Sequence, residues 1–221
     1  MASDYHTKDD FDDKLDIDEE RFDDRPDEET LETVVSNVED RNIAVDVFDD
    51  GDAAREFLAD QIPAGAAVMD GHSTTLEEIG FADTLEEADG FDYVGNALAE
   101  IEDDDERSTR RREATTADVF FDGVNAVAES GELVGANALG NAVGAWPFGA
   151  ESLVLVAGTN KIEPDWETAV ERVREFALPL EDARAQEVYD QGSLVGKLVS
   201  LEYERVDDRT QLVLIDDELG F

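Results

Sequence analysis

Three short runs hold most of the residue types in this chain that can do chemistry. The first is Gly71-His72-Ser73-Thr74-Thr75-Leu76-Glu77-Glu78, which gathers an imidazole, three hydroxyls and two carboxylates. It follows an apolar stretch and opens a helical pattern, where free backbone N–H groups and the helix dipole favour an anion. His72, Ser73, Thr74 and Thr75 are therefore candidate ligand-binding residues. The same residues also fit a capping box, Thr74 with Glu77 or Thr75 with Glu78, which would satisfy those N–H groups internally. With only two histidines in the chain, no His-rich metal site is expected and no metal ligand is assigned.

The second run, Leu133 to Ala150, carries no charged residue in a chain otherwise saturated with acid. Its glycines at 135, 140 and 144 match neither the G-x-G-x-x-G fingerprint nor a Walker A loop. They permit close helix–sheet packing or the approach of backbone to a ligand. Asn125 and Asn141 are amides in apolar settings, and buried amides require partners, so they either fix loops or bind a ligand. Gly140 and Asn141 join the candidate binding residues. The third run is Asn160-Lys161, after the apolar stretch Leu153 to Ala157. Lysine occurs only at positions 8, 14, 161 and 197. A lysine at the carboxyl end of a strand in an α/β sheet sits where ligands bind and can hold a carboxylate or phosphate. The alternative is an ion pair with Glu163 or Asp165. If the chain is catalytic, Glu77, Glu78, Glu129 and Lys161 are the candidate acid, base or nucleophile groups, although no pair among them has a diagnostic spacing.

The elements that must position these residues can be read from period and punctuation. Residues 28–40 give a helix with Leu31, Val34, Val35 and Val38 on one face. Strands follow at 43–48, 64–69, 117–122, 153–157, 197–205 and 210–215, with helices at 53–59, 74–80, 92–102 and 165–176. Residues 103–113 read as a loop or an exposed helix. Glu129-Ser130-Gly131 reads as a turn between two short strands, and 137–146 is expected to wind as a helix. Strands alternating with helices predict an α/β fold, a central, mostly parallel sheet with helices on both faces. Residues 1–26 read as an acidic arm, disordered or in part a loosely docked segment, and 27–221 as a single domain.

The chain has 221 residues, a net charge of −42 and 41% hydrophobic content, enough apolar residue for a full core. An acidic excess of this size repels itself unless salt screens it, and at molar salt the Debye length falls to about 3 Å. The expected setting is the high-salt cytoplasm of an extreme halophile. The charge argues against nucleic-acid and membrane partners, which recruit Lys and Arg. The one basic cluster, Arg110-Arg111-Arg112, is flanked by Glu106 and Glu113 and reads as an ion-paired helix face. The absence of cysteine excludes disulfides, thiolate nucleophiles and Cys-ligated iron–sulfur clusters within the chain.

Four stretches in order, His72–Gly80, Ala117–Val134, Gly140–Ile162 and Asp208–Phe221, resemble the LUD-domain family that contains lactate utilisation protein C, in a haloarchaeal-type form. The helix from Asp165 to Arg174, with Arg172, is similar too. The resemblance implies a fold like that of the sugar-phosphate isomerase and CoA-transferase superfamily. It also implies a role in oxidising lactate to pyruvate beside iron–sulfur partner proteins. Carried over, Ser73-Thr74-Thr75, Asn125, Gly140-Asn141 and Asn160-Lys161 would surround one cleft. Two departures stand out. Ala142 occupies a place where the family often has Arg, which weakens an anion-holding role there. Some relatives carry a cysteine cluster before the last strand, where this chain has 186–196 without cysteine, so redox chemistry would belong to partners. The expectation is a non-redox component that binds a small anionic ligand, iron–sulfur partner proteins or both. A nucleotide or CoA is left open as a ligand. The alternatives are a stand-alone enzyme acting on an anionic metabolite such as a CoA ester or sugar phosphate, and a ligand-free assembly or regulatory module.

Overall fold

A computed structural model of the chain describes residues 6–11 and 14–221. Its framework is a parallel sheet of six strands: β1 (Ala44–Phe48), β2 (Ala67–Asp70), β3 (Asp92–Tyr93), β4 (Val119–Gly123), β7 (Ser152–Gly158) and β10 (Thr210–Ile215). Their spatial order is β1-β10-β7-β4-β2-β3, and every neighbouring pair is parallel. The apolar runs that suggested buried strands divide by the period of two. Phe120, Leu153, Leu155, Leu212 and Leu214 enter one core, while Val119, Phe121, Val154, Val156, Val213 and Ile215 enter the other.

Helices α2 (Glu28–Glu39) and α6 (Val94–Ala99) supply Val34, Val38, Val94 and Leu98 to the first core. Helices α3 (Gly51–Asp60), α4 (Thr74–Glu78) and α5 (Phe81–Glu87) cover the opposite face through Leu58, Leu76, Ile79, Phe81 and Leu85. The fold is thus α/β, with a parallel central sheet and helices on both faces. Part of the acid excess has local work as helix N-caps. The carboxylates of Asp27 and Asp50 accept from Thr30 N and Ala53 N at the starts of α2 and α3, as does Asp103 from Glu106 N before α7 (Asp104–Ala114).

A second sheet of four strands leans on the first core. It orders β8 (Ile162–Glu163), β5 (Ala126–Ala128), β6 (Leu133–Asn137) and β9 (Lys197–Leu201), with β5–β8 parallel and the other pairs antiparallel. Helix α8 (Trp166–Arg172) packs Ala169 and Val170 on its outer side and passes through a π-helical turn, 173–177, into α9 (Leu178–Tyr189).

Several local expectations are corrected. Residues 137–146 do not wind as an α-helix: β6 runs to Asn137, Gly140 sits at φ 85°, and 145–149 form a π-helical turn. The Asn137 side chain accepts from Gly140 N at 2.5 Å, which closes a turn where the helix would begin. The stretch 92–102 divides into β3 and α6, while of the two readings of 103–113, loop or exposed helix, the helix forms, as α7. Of the acidic segment, read as disordered or in part loosely docked, a part is seated on the body. Phe11 and Phe22 are buried with Phe176, Leu180 and Phe221, and α1 (Glu19–Phe22) brings Asp23 into the interior. Residues 1–5, 12 and 13 of that segment lie outside the described residues. Among the described residues no helix is long and apolar enough to cross a membrane.

Candidate functional site

The carboxyl ends of β2, β4 and β7 meet above the centre of the sheet, where open α/β sheets bind ligands. Two of these strands end on the same pair of residues, Asp70-Gly71 and Asp122-Gly123. Both aspartates are buried. Asp70 Oδ1 accepts from the Tyr93 hydroxyl at 2.7 Å, and its Oδ2 accepts from His72 N at 3.1 Å. Asp122 Oδ2 accepts from Trp146 Nε1 at 2.7 Å and Oδ1 from Gly123 N at 2.9 Å. Burial, aided by the neighbouring Asp70 charge, pushes the Asp122 carboxyl up to about 7 against the two hydrogen bonds that favour its ionised form. Gly71 is required beside it, because a Cβ there would overlap Asp122 Oδ1.

Trp146 is held on several sides. Its ring covers Gly135, where a Cβ would strike the six-membered ring. Arg209 grips the π-helical turn, donating to Trp146 O at 3.0 Å and Ala150 O at 3.1 Å while pairing with Glu204 at 2.7 Å. The uncharged run between Leu133 and Ala150 therefore delivers an indole N–H to a buried acid.

Lys161 follows β7 in a single 3-10 turn, 159–161, and is 1% exposed. Its Nζ donates to Thr75 Oγ1 at 2.8 Å, and no carboxylate of the described residues lies within ion-pair distance. Burial, reinforced by the Arg172 charge, pushes the amine down to about 7 against the attraction of Glu78, Asp23 and Asp122. The expected alternative partners are engaged elsewhere. Glu163 lies 3.5 Å from Arg172 Nε, and Asp165 caps α8 through Thr168 N at 2.7 Å. Burial also pushes the Glu163 carboxyl up to about 7, with Arg172 opposing.

Two cavities open here. The inner one, about 160 Å³, is lined by His72, Ser73, Thr74, Asp122, Asn125 and Lys161 among others. The outer one, about 630 Å³, contains Asp70, Arg107, Arg111, Asn141, Arg184 and Tyr189 in its wall. They meet along Gly71, His72, Asn137, Ala138, Glu181 and Ser193, which line both. His72 stands on that shared wall with φ 56°, an uncommon conformation for a residue with a Cβ and one often stored at functional sites.

The family model for the LUD domain matches residues 31–191. The chain belongs to the LUD-domain family. That family is associated with lactate utilisation. The fold is similar to that in the crystal structure of a DUF162 family protein from Deinococcus radiodurans, with a TM-score of 0.50 and 12% identity over 85% of this chain and 96% of that one. No curated protein matches the chain.

Within this LUD domain the anticipated residues separate. His72, Ser73, Thr74, Asn125 and Lys161 share the inner cavity, and Thr75 lies behind it as the acceptor for Lys161. Asn141 lines the outer cavity, whereas Gly140 and Asn160 line neither. Asn160 Nδ2 donates to Asp23 Oδ1 at 2.7 Å, and Asn125 Oδ1 ties the hairpin by accepting from Ala136 N at 2.7 Å. The capping boxes do not form. Ser73 is the N-cap of α4 without a side-chain cap bond, and Glu78 instead accepts from Gly220 N at 2.7 Å. Burial raises the pKa of both Glu77 and Glu78. Glu129 lies in the hairpin, away from both cavities. Sequence reasoning missed Asp70, Asp122, Trp146 and Arg172. The repeated signal of an apolar strand ending in Asp-Gly marks the first two.

Proposed function

We propose that this LUD-domain chain is a non-redox component of a lactate-oxidising system, binding a small monocarboxylate such as lactate or pyruvate in the inner cavity. Lys161 carries the reading. Burial disfavours the charged form of an amine with no ion-pair partner within reach among the described residues, and a bound carboxylate is the partner that would restore its charge. Ser73 and Thr74 add hydroxyl donors on the same wall. Because the sequence has no cysteine, thiolate-held iron–sulfur clusters would come from partner proteins. The net charge of −42 supports a high-salt cytoplasmic setting for such an assembly. Deleting the gene should impair growth on lactate and spare growth on other carbon sources. Pyruvate should raise the melting temperature of the purified chain and leave that of Lys161→Ala unmoved. Unimpaired lactate growth overturns the assignment.

One observation favours a second reading, a stand-alone enzyme. Asp122 and Lys161 both titrate near 7 and both line the inner cavity, which suits them to exchange protons with a bound anion. Turnover of a CoA ester, a sugar phosphate or lactate (with an acceptor dye) by the purified chain alone would select it.

A further inference from the structure

The outer cavity is basic in a chain that is otherwise acidic. Its volume of about 630 Å³ is that of a small-molecule site rather than of a single ion. Three arginines, Arg107, Arg111 and Arg184, line it. Their commitments differ. Arg184 spans both oxygens of Glu181 at 2.7 and 3.1 Å. Arg107 donates to Ile101 O and lies 3.3 Å from exposed Asp104. On the same helix Arg110 lies 3.3 Å from Glu113, and Arg112 donates to Ser108 and Thr109 at 2.9 Å. The Arg111 side chain stands between them with no hydrogen bond or ion pair among the described residues. The basic cluster therefore divides: two members are held along the helix, and the third is left to the cavity.

Two acids share the wall with the three arginines, which outnumber them. Asp70 is held by Tyr93 and the His72 amide, and Glu181 is taken by Arg184. The rim is apolar and open. Tyr189 is 58% and Leu139 70% exposed, although both line the cavity. The Arg184 guanidinium lies 5.6 Å from the centre of the Tyr189 ring and steadies it. Guanidinium forks match phosphate oxygens, and an exposed aromatic face accepts a planar ring.

We propose that the outer cavity is a binding site for a ligand of the nucleoside-diphosphate class. Arg111 and Arg107 take the phosphate oxygens, and Tyr189 with Leu139 takes the ring. The shared wall at His72 places such a ligand beside the inner cavity without requiring that anything occupy the latter.

Isothermal titration with ADP and with pyrophosphate tests this, in the lowest KCl that keeps the chain folded by circular dichroism, since salt screens phosphate contacts. Both probes should bind the wild-type chain. Arg111→Ala, on an exposed helix position, should weaken both by about tenfold or more. Tyr189→Ala should weaken ADP and leave pyrophosphate unchanged. Lys161→Met should retain ADP affinity, which separates this site from the monocarboxylate reading. Absence of ADP binding to the wild-type chain, or unchanged ADP affinity in Arg111→Ala, overturns the proposal.

Discussion

Replacing Lys161 by methionine isolates the cost of the buried ammonium. Burial and the Arg172 charge push its pKa from 10.5 down to about 7. A drop of that size corresponds to roughly 5 kcal/mol by which the fold disfavours the charged form relative to water. Methionine fills similar volume without the charge, while the hydrogen bond to Thr75 is lost at a cost of about 1 kcal/mol. Relaxation and water entry reduce the recoverable part, so Lys161→Met should be more stable than wild type by about 1–3 kcal/mol at pH 6.

Proton counts set the sign of the pH dependence. Between about 7 and 10.5 the unfolded chain keeps the lysine proton and the folded chain releases it. Wild-type stability therefore gains from this residue as pH rises through that window, and the advantage of methionine fades. Urea unfolding by circular dichroism, at fixed molar KCl and a series of pH values, measures both effects. A variant less stable than wild type at pH 6 would refute the reasoning, because Lys161 would then be an ion-pair anchor rather than a charge awaiting a ligand.

Three further outcomes are expected. In a Trp166→Phe background, Trp146 emission should titrate with a midpoint near 7, the value to which burial pushes Asp122, and Asp122→Asn should abolish the step. The raised pKa also means that protonated Asp122 gives its full stabilisation below about 3.8 and loses it as pH rises through 7, a loss absent from Asp122→Asn. Gly71→Ala should cost about 1–3 kcal/mol in thermal or urea unfolding and weaken pyruvate binding, because its Cβ displaces Asp122. Asp23→Ala should lower stability by about 3 kcal/mol, since Asn160 loses its acceptor and buried Arg172 keeps Glu163 as its one remaining acid partner among the described residues, beside the carbonyls of Phe22 and Asn125.

The central strands were legible because burial on both faces writes continuous apolar runs, as in Leu153 to Ala157, and the carboxyl end of that strand led directly to Lys161. The helix expected at 137–146 followed from glycines spaced for close packing. Yet Gly140 adopts φ 85°, and Gly135 serves to admit the Trp146 ring. Helix α9 was hidden by Pro179, which reads as a stop but stands in the first turn of a helix that resumes after a π-helical turn. Lys161 was conspicuous by scarcity, whereas its freedom from Glu163 and Asp165 depends on Arg172 and a helix cap that claim those acids. Asp122 was overlooked because an acid in so acidic a chain carries no compositional signal. Its meaning comes from burial against Asp70 and Trp146.

The most direct test of the account is calorimetric titration of pyruvate into the wild-type chain at pH 8, repeated in buffers of different ionisation enthalpy. At that pH Lys161, with its pKa pushed down to about 7, is mostly neutral, and a bound carboxylate must restore its charge. The predicted result is binding accompanied by uptake of close to one proton, with both lost in Lys161→Met. Binding without proton uptake, or equal binding to the methionine variant, would contradict the claim that Lys161 receives the anion.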